Sequence, residues 1–362
     1  MKAIILAAGH GTRLRPVTLT MPKPLVPVAN KWLIAYAIDV LKSAGLNEIG
    51  IVVNNMESPI VTALGNGDVL GVKLSYIVQE QQLGLAHAIN ICRDFVGSEP
   101  FCVFLGDNIF QDKMTDMLTA FPSSDAEATI VLGEVPDPKR FGIATVENGK
   151  IQEVEEKPEH PRSNLAISGV YLFRSSIFDA IGRIKPSKRG ELEITHAIQE
   201  LIDSGAKVTP YRLTGWFIDA GKPDPIITAN QLVLEQLPYT PPLDASSGKL
   251  FGTCDVSHRV VLGENTQIID SVIRGPVIIG SNTIIKNSYI GPYTAIGNDV
   301  RVESAEIESS IVMNGCTIKD INGRIDRSLL ADNAQVMSSQ RMPLTYRFVL
   351  AENTYVEVLK AK

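Results

Sequence analysis

The chain opens with Ala3-Ile4-Ile5-Leu6-Ala7-Ala8-Gly9-His10-Gly11-Thr12-Arg13-Leu14 and continues to Pro22-Lys23-Pro24-Leu25. The apolar run 3–7 predicts a buried strand that leads directly into a turn bracketed by Gly9 and Gly11. Glycines at such a turn let the main chain approach a ligand closely and point its N–H groups at phosphate oxygens. Arg13 and Lys23 add two permanent positive charges. We therefore expect this segment to hold the phosphates of a nucleotide.

Two familiar phosphate-binding motifs do not describe this segment. The dinucleotide-binding fingerprint G-x-G-x-x-G requires a third glycine, and Leu14 stands in its place. The P-loop motif G-x-x-x-x-G-K-[ST] is absent from the sequence. Gly9 and Gly11 alone are also compatible with an ordinary tight turn. The addition of Arg13 and Lys23 favours phosphate binding by a different kind of loop.

The composition limits the class of protein. With 362 residues, 44% of them hydrophobic and 20% charged, the chain is typical of a soluble protein of two domains. A net charge of -6, without a long basic run, predicts that nucleic acid is not a partner. The early core strand and the lack of a long apolar run predict a cytoplasmic protein with no signal peptide and no membrane partner. The isolated cysteines predict buried, reduced thiols: Cys92, Cys102, Cys254 and Cys316.

The first domain is predicted to span residues 1–237. Apolar strand patterns alternate there with helical patterns, which predicts an α/β fold: a doubly wound, mostly parallel sheet whose ligands bind at the carboxyl ends of the strands. The predicted strands are 3–7, 49–53, 74–78 and 101–105, and the predicted helices are 33–44, 57–65, 84–95 and 112–120. The middle third, 127–173, predicts a mixed-sheet extension with a hairpin turn at Asn148-Gly149.

A change of periodicity marks a second domain. Residues 238–248 are rich in proline, serine and glycine and predict a linker. Beyond them, in residues 249–340, aliphatic residues recur at intervals of five or six, and every third one lies 17 positions further on. The three series predict a hexapeptide-type parallel β-helix: Leu262, Ile279 and Ile296; Ile268, Ile285 and Val302; Ile273, Ile290 and Ile307. A strand tail is expected over 341–362, with strand residues that include Tyr346, Phe348, Leu350, Tyr355, Val356 and Val358.

Polar residues follow several predicted strands of the first domain. Asp107 follows the strand 101–105, and Asp219 stands in a similar setting, so the two carboxylates could together hold a hard cation such as Mg²⁺. Asp107 is equally able to cap a helix that begins near Asp112. Gln79 is a candidate reader of a nucleobase, because an amide both donates and accepts hydrogen bonds as a pyrimidine edge requires. Gly84 opens a helix, so its main chain can lie under the base.

The motifs together resemble the signature of the sugar-1-phosphate nucleotidylyltransferases: G-x-G-T-R-L at 9–14, P-K-P-L at 22–25, L-G-D-N at 105–108, E-E-K-P at 155–158 and W-x-x-D-x-G at 216–221. The stretch 185–195 and the β-helix resemble the long form of the glucose-1-phosphate thymidylyltransferases. This resemblance implies a Rossmann-like nucleotidyltransferase domain followed by a left-handed parallel β-helix. It also implies Mg²⁺ as cofactor, dTTP and glucose 1-phosphate as substrates, and dTDP-glucose and pyrophosphate as products. A homo-oligomer is expected because exposed faces of a β-helix commonly mediate self-association.

The resemblance assigns a role to each matching position. Arg13 and Lys23 are implied to be catalytic, and Asp107 and Asp219 to bind the metal. The nucleotide-binding positions are Leu6, Ala8, Gly9, Gly11, Thr12, Gln79, Gly84 and Asp107. The positions that bind the sugar phosphate are Asn108, Gly142, Glu156, Lys157 and Val170.

The base and the role of the β-helix stay open. Many thymidylyltransferases carry K-Q-L where this chain has Lys23-Pro24-Leu25, and P-K-P-L is commoner among guanylyl- and uridylyltransferases. UTP or GTP with another sugar phosphate is therefore an alternative. An acetyltransferase activity of the β-helix is another, but a lone His258 in that region favours a structural or assembly role. A regulatory, non-catalytic chain is disfavoured because Arg13 and Lys23 are intact.

Overall fold

The computed structural model describes residues 1–243, 248–338, 348 and 352–358. The chain divides into two compact units. The first comprises Met1–His10, Pro22–Leu25 and Leu33–Asp219, and the second comprises Gly11–Met21, Val26–Trp32 and Ala220–Lys362. This division differs from the predicted one, in which residues 1–237 formed one domain, because two N-terminal segments and the region after Asp219 group with the β-helix.

Strands and helices alternate along the chain up to residue 235. The strands are β1 (Lys2–Leu6), β2 (Pro27–Val28), β3 (Lys31–Trp32), β4 (Glu48–Val53), β5 (Lys73–Val78), β6 (Phe101–Leu105), β7 (Asn108–Phe110), β8 (Ala128–Glu134), β9 (Gly142–Glu147), β10 (Lys150–Glu156), β11 (Leu165–Phe173), β12 (Val208–Arg212) and β13 (Phe217–Asp219). The helices are α1 (Leu33–Ser43), α2 (Pro59–Leu64), α3 (Leu85–Asn90), α4 (Arg93–Val96), α5 (Thr115–Ala120), α6 (Ser176–Arg183), α7 (Ile194–Asp203) and α8 (Pro223–Glu235).

The first unit is built on a large sheet with the strand order β10-β9-β11-β6-β1-β4-β5, to which β8 and β12 are added. The strands β6, β1, β4 and β5 are parallel to one another, as the buried apolar runs predicted. The chain passes from β1 to β4 and β5 on one side and then crosses to β6 on the other side of β1. Such a switch opens a crevice at the carboxyl ends of the two central strands, where open α/β sheets bind their ligands.

The predicted mixed extension is confirmed. β11 is antiparallel to β6, β8 and β9, and β9 and β10 form an antiparallel hairpin. The hairpin turns at Asn148 and Gly149, whose φ angles of 50° and 73° both lie in the left-handed region. Such a pair of positive φ angles gives a two-residue hairpin the twist that its strands need.

Two predicted helices differ from the observed ones. The predicted helix 84–95 is divided into α3 and α4. The helix predicted at 112–120 begins at Thr115, because the Asp112 carboxylate accepts hydrogen bonds from the backbone N–H groups of Thr214 and Gly215, at 2.7 and 2.9 Å. Asp112 therefore joins two loops and lies outside the helix.

The second unit contains a parallel β-helix, as predicted. Its strands are β14 (Leu250–Phe251), β15 (Asp255–Val256), β16 (Val260–Leu262), β17 (Gln267–Ile269), β18 (Val272–Ile273), β19 (Val277–Ile279), β20 (Ile284–Lys286), β21 (Tyr289–Ile290), β22 (Thr294–Ile296), β23 (Arg301–Glu303), β24 (Glu306–Glu308), β25 (Ile311–Val312), β26 (Thr317–Lys319), β27 (Arg324–Asp326), β28 (Leu329–Leu330) and β29 (Gln335–Met337). They stack into three parallel sheets, one for each face of a prism, in agreement with the left-handed form.

The register of the β-helix follows the 17-residue repeat. Ile285 lies between Ile268 and Val302 in one sheet, and the other two series stack in the same way: Leu262, Ile279 and Ile296, and Ile273, Ile290 and Ile307. Ile285 and its two neighbours are fully buried. In the nine strands of these series, the repeat thus directs an aliphatic side chain into the core of the prism.

A buried asparagine of α8 explains why an N-terminal segment belongs to the second unit. Asn230 is 0% exposed. Its Oδ1 accepts a hydrogen bond from the Ala29 N–H at 2.8 Å, and its Nδ2 donates to the Tyr293 carbonyl at 2.9 Å. Asn30 Nδ2 also donates to the Ile296 carbonyl at 2.6 Å. These bonds join the segment, α8 and the β-helix.

The predicted linker and tail lie partly outside the described residues, as do 244–247, Tyr346 and Leu350. In the described part of the linker, Leu243 forms a β-bridge with Val256. In the described part of the tail, a turn at Glu352–Asn353 is followed by irregular chain through Val358. The strand expected at Tyr355–Val358 is therefore not seen, and Tyr355 is 82% exposed, so the segment has no packed face.

The cysteines and the helices bear on two further expectations. All four cysteines are free thiols, and Cys92, Cys102 and Cys316 are buried, whereas Cys254 is partly exposed and departs from the expectation of burial. Burial raises the pKa of the Cys92 thiol to about 12. Over the described ranges, no helix combines the length and the apolar character that crossing a membrane requires.

Candidate active site

A lysine and two aspartates meet at the edge of the first unit's sheet. The Lys23 ammonium contacts the Asp107 carboxylate and lies 3.4 Å from Asp219 Oδ1. The Lys23 side chain is only 11% exposed, while both carboxylates are more open to solvent. Lys23 therefore offsets part of the charge of two acids that come from distant parts of the chain. The two aspartates were already paired in the sequence analysis, and the structure adds the contact of both with Lys23.

A short strand pair brings the second aspartate to this edge. β13 is antiparallel to β7, with Asp219 opposite Asn108. Asp107 immediately precedes Asn108, in the turn after β6. Asp107 thus forms an ion pair beside the sheet. The helix that the sequence analysis allowed Asp107 to cap is α5, and it begins only at Thr115.

The donor set fits a magnesium ion. The Asp107 and Asp219 carboxylates supply the oxygen ligands that Mg²⁺ prefers, and Mg²⁺ beside phosphates commonly uses only one or two protein carboxylates. Among the described residues, no group of three or more histidine, cysteine, aspartate or glutamate side chains forms a larger metal-binding cluster. A Mg²⁺ ion would therefore share this pair of acids with the Lys23 ammonium.

The glycine-containing turn follows the central strand β1. The Leu6 carbonyl accepts a hydrogen bond from the Gly106 N–H at 3.0 Å, so the turn after β1 lies beside the turn that carries Asp107. Ala8 is buried, and its carbonyl accepts a hydrogen bond from Gln82 Nε2 at 3.5 Å. Gly9 is exposed, and a Cβ atom built on it meets no atom of the described residues within 4 Å. No contact in the described part of the chain thus requires a glycine at this position.

The rest of this loop belongs to the second unit. Gly11 adopts the left-handed conformation, with φ of 61°, and precedes a short 3₁₀ turn over Thr12–Leu14. The Gly11 carbonyl accepts hydrogen bonds from the Leu14 N–H at 2.9 Å and from Thr18 Oγ1 at 2.8 Å. Thr12 and Arg13 are exposed on this turn. The left-handed conformation thus favours glycine at position 11.

The candidate base-reading residues form a second cluster in the first unit. Gln79 is buried beside α3. Its Nε2 atom lies 3.0 Å from His87 Nδ1 and 3.4 Å from the Gly84 carbonyl oxygen. Gly84 has φ of 107°, and a Cβ atom there would lie 2.6 Å from the Leu192 carbonyl oxygen. The close approach to the Leu192 main chain therefore requires glycine at position 84.

The predicted sugar-side residues meet at the end of the β9–β10 hairpin. Gly142 pairs with Glu156 across the hairpin. Glu156 Oε2 accepts a hydrogen bond from Thr195 Oγ1 at 3.2 Å, and Lys157 Nζ lies 3.4 Å from Glu156 Oε1. Lys157 has φ of 46°, and its N–H donates to the Phe141 carbonyl at 3.0 Å. A left-handed backbone conformation is uncommon at lysine, and residues in such conformations cluster at functional sites.

The other two predicted sugar-side residues are buried. Asn108 Nδ2 donates to the Ser168 carbonyl at 2.7 Å, whereas Asn108 Oδ1 has no hydrogen-bond partner in the part of the chain that the structure describes. Val170 is fully buried in β11, so only its main chain is available to a ligand. The charge of Glu156 adds to burial in raising the pKa of the neighbouring Tyr171 hydroxyl.

The sequence did not predict a network around Arg189. Its guanidinium Nη2 lies 2.8 Å from Glu193 Oε2 and 3.3 Å from Glu156 Oε1. Glu193 is almost fully buried and also accepts a hydrogen bond from Ser187 Oγ at 2.7 Å. Burial lowers the pKa of Arg189, but the hydrogen bond and charge of Glu193, with the charges of Glu191 and Glu156, outweigh it and raise that pKa. The stretch 185–195 carries this network.

Comparison with known proteins identifies the family. The family model described as nucleotidyl transferase matches residues 2–236. The chain belongs to the nucleotidyl transferase family. A glucose-1-phosphate thymidylyltransferase of Streptomyces griseus is 41% identical to this nucleotidyl transferase over 359 residues, which cover 99% of each chain. A UTP–glucose-1-phosphate uridylyltransferase of Haloferax volcanii is 38% identical over 239 residues, covering 65% of this chain and 98% of the relative.

A solved structure shares its fold with part of this nucleotidyl transferase. It is a Bacillus anthracis protein assigned as a glucose-1-phosphate thymidylyltransferase, in complex with sucrose. The two structures superpose with a TM-score of 0.60 at 40% sequence identity, over 64% of this chain and 94% of the other. The matched region corresponds in extent to the α/β part of the chain.

Proposed function

We propose that this nucleotidyl transferase transfers a nucleoside monophosphate from dTTP to glucose 1-phosphate, giving dTDP-glucose and pyrophosphate. The observation that carries the proposal is the 41% identity to a glucose-1-phosphate thymidylyltransferase across 99% of both chains. The cluster of Lys23, Asp107 and Asp219 at the edge of the sheet supports it, because transfer between phosphates requires concentrated positive charge and a place for a metal ion.

The nucleotide-binding half of the proposal starts from the turn after β1. We assign Leu6, Ala8, Gly9, Gly11 and Thr12 to the binding of the nucleotide. The empty space around Gly9 supports this assignment, because a main chain without a side chain is what a close-lying phosphate needs. Gln79 and Gly84 would contact the base.

The cations would act on the charge of the triphosphate. Lys23 would neutralise the α-phosphate, and Arg13 the β- and γ-phosphates. Asp107 and Asp219 would hold Mg²⁺, which when bound supplies further positive charge beside the triphosphate. The contact of Lys23 with both carboxylates supports this assignment, because it brings opposite charges together at one edge of the sheet.

The sugar-binding half would lie at Glu156 and Lys157. Glu156 would accept hydrogen bonds from sugar hydroxyls, and Lys157 would hold the phosphate of glucose 1-phosphate. The Oδ1 atom of Asn108, buried without a partner among the described residues, would accept one more. The Gly142 and Val170 main chains would complete the pocket.

The reaction follows from this arrangement without a covalent intermediate. An oxygen of the sugar phosphate forms a bond to the α-phosphorus of dTTP, and the bond from that phosphorus to the bridging α–β oxygen breaks. The electron pair leaves on pyrophosphate. Side chains contribute positioning and charge neutralisation to such a displacement. Lys157 would orient the attacking phosphate, and Lys23 and Arg13 would stabilise the charge that develops.

UTP is the second candidate nucleotide. The uridylyltransferase relative is 38% identical over its nearly complete length, and Pro24 occurs where many thymidylyltransferases have glutamine. dTTP and UTP differ in the methyl group of the base and in the 2′-hydroxyl of the pentose, so the structural argument for the phosphates and for glucose 1-phosphate applies to both.

Pyrophosphate release separates these candidates. The full chain is incubated with Mg²⁺, glucose 1-phosphate and, in turn, dTTP, UTP, GTP, CTP or ATP, and the set is repeated with other sugar 1-phosphates. The proposal predicts the highest kcat/KM for dTTP with glucose 1-phosphate. A higher value for UTP supports the second candidate, and no release with any pair refutes both.

We also propose that the protein acts as a cytoplasmic homo-oligomer. The four free cysteines are consistent with a reducing compartment. Phe251 and Val261 expose apolar side chains on the β-helix, as a self-association surface requires. Sedimentation of the full chain measures its mass, and a monomer at micromolar concentration contradicts the oligomer.

A further inference from the structure

We propose that His87 is a positioning residue that fixes the orientation of the Gln79 amide and thereby contributes to the choice of base. The inference concerns the base subsite of the proposed function and rests on that function. Gln79 is 5% exposed. The orientation of its side-chain amide is therefore determined by the neighbouring protein groups. That orientation determines whether Nε2 or Oε1 is available to a base.

The Gly84 carbonyl determines which way the amide points. A carbonyl oxygen only accepts hydrogen bonds, so the amide atom that faces it at 3.4 Å is the Nε2 donor. The Gly84 carbonyl itself is fixed, because it also accepts a hydrogen bond from the Ala88 N–H at 3.1 Å. The Leu192 main chain packs against Gly84 and holds this loop in place.

His87 accepts a hydrogen bond from the other N–H of the Gln79 amide. Gln79 Nε2 lies 3.0 Å from His87 Nδ1. Since the Gln79 Nε2 atom is the donor, the His87 Nδ1 atom must be the acceptor. This requires a neutral His87 imidazole that carries its proton on its own Nε2 atom. The two protons of the amide are then directed to the Gly84 carbonyl and to His87.

With both amide protons engaged, Gln79 offers a base only the acceptor Oε1, in place of the donor and acceptor that the sequence analysis expected. Among the residues that the structure describes, none donates a hydrogen bond to it. Oε1 can accept the N3–H of thymine or uracil, whereas cytosine has an unprotonated N3 at the same position. His87 thus favours a pyrimidine that carries a proton on N3. Without it, the amide is held by one long hydrogen bond and can turn its Nε2 toward the base.

A matched pair of variants tests this role. His87→Leu removes the acceptor, and His87→Asn can place an amide oxygen where Nδ1 lies. The ratio of kcat/KM for dTTP to that for dCTP is measured for both and for the parent enzyme. We expect His87→Leu to lower this ratio roughly five- to tenfold, the value of one neutral hydrogen bond, and His87→Asn to keep most of it. The KM for glucose 1-phosphate should be unchanged.

Other outcomes contradict the proposal. Unchanged ratios in both variants show that His87 does not orient the amide, and equal losses in both show that the shape of the ring matters and its acceptor does not. If His87→Leu fails to fold, the comparison of His87→Asn with the parent enzyme still decides: loss of the ratio contradicts the proposal. A parent enzyme that turns over no triphosphate refutes the proposed function instead.

A second measurement does not depend on turnover. Nitrogen-15 NMR of labelled histidine reports the tautomer of His87 in the parent protein, with His87→Asn used to assign its signal. The proposal requires the neutral form with the proton on Nε2. A proton on Nδ1 contradicts it, whatever the enzyme catalyses.

Discussion

Substitution of Gly9 by alanine separates the function of the loop after β1 from the folding of the chain. A Cβ atom at this position meets no described protein atom within 4 Å, and Gly9 is not among the glycines with positive φ. We therefore expect the folded protein to accept the methyl group. Replacing glycine at a compatible position commonly raises the free energy of unfolding by about 0.4–1 kcal/mol, because the unfolded chain loses freedom.

The same methyl group should impair the reaction. If a phosphate lies against the main chain at Gly9, the methyl group displaces it and weakens a hydrogen bond to a charged group. Such a bond contributes about 1.5–3 kcal/mol, which corresponds to a loss of roughly 10- to 100-fold in kcat/KM for the triphosphate. The KM for glucose 1-phosphate should change little. The assays are pyrophosphate release at varied triphosphate and thermal unfolding of the same samples.

Two other glycines serve as controls. Gly182 lies in α6, and a Cβ atom there also meets nothing within 4 Å, so Gly182→Ala should change neither activity nor stability adversely. Gly84 has positive φ and touches the Leu192 main chain, so Gly84→Ala should lower the free energy of unfolding by about 3 kcal/mol. Unchanged kcat/KM in Gly9→Ala refutes the phosphate-binding role. Loss of activity in step with a loss of stability shows that Gly9 is structural.

Three further predictions concern the charged residues and the β-helix. Arg13→Ala should lower kcat by about 10²–10³ if Arg13 stabilises pyrophosphate, and unchanged turnover removes it from the mechanism. Asp107→Asn should abolish Mg²⁺-dependent pyrophosphate release, and retention of that release at equal Mg²⁺ excludes Asp107 as a ligand. Ile285→Ala should lower the free energy of unfolding in denaturant by about 3 kcal/mol, because the side chain is fully buried between two others. Ile284→Ala, on the outer face of the same strand, should lower it by about 1 kcal/mol or less. Equal losses in the two variants would contradict the register.

The β-helix was the part of the fold that the sequence predicted best. Its register was readable in the first coils because each coil contacts the next one along the chain, and residues 17 positions apart are paired there. Ile285 lies opposite Ile268 and Val302 for that reason. In the last coils the separation becomes 16 or 18 residues. The grouping of Val26–Trp32 with the β-helix could not be read in this way, because it depends on hydrogen bonds from Asn30 and Asn230 to distant parts of the chain.

The candidate site shows the same limit. Its residue types were visible in the motifs, but the contact of Lys23 with Asp219 depends on the pairing of β13 with β7, which joins segments far apart in sequence. The Arg189–Glu193 network and the contact of His87 with Gln79 were missed, because a charged or polar residue in a loop or helix gives no signal of its partner. The sequence signal for the network was the pair of basic residues at 188–189 followed by the acidic residues Glu191 and Glu193.

Identification of the products tests the central claim most directly. The full chain is incubated with Mg²⁺, dTTP and glucose 1-phosphate, and the products are followed by phosphorus-31 NMR and mass spectrometry. The account predicts dTDP-glucose and pyrophosphate in equal amounts, with no orthophosphate. Unchanged substrates, or release of pyrophosphate with dTMP in place of dTDP-glucose, would contradict it.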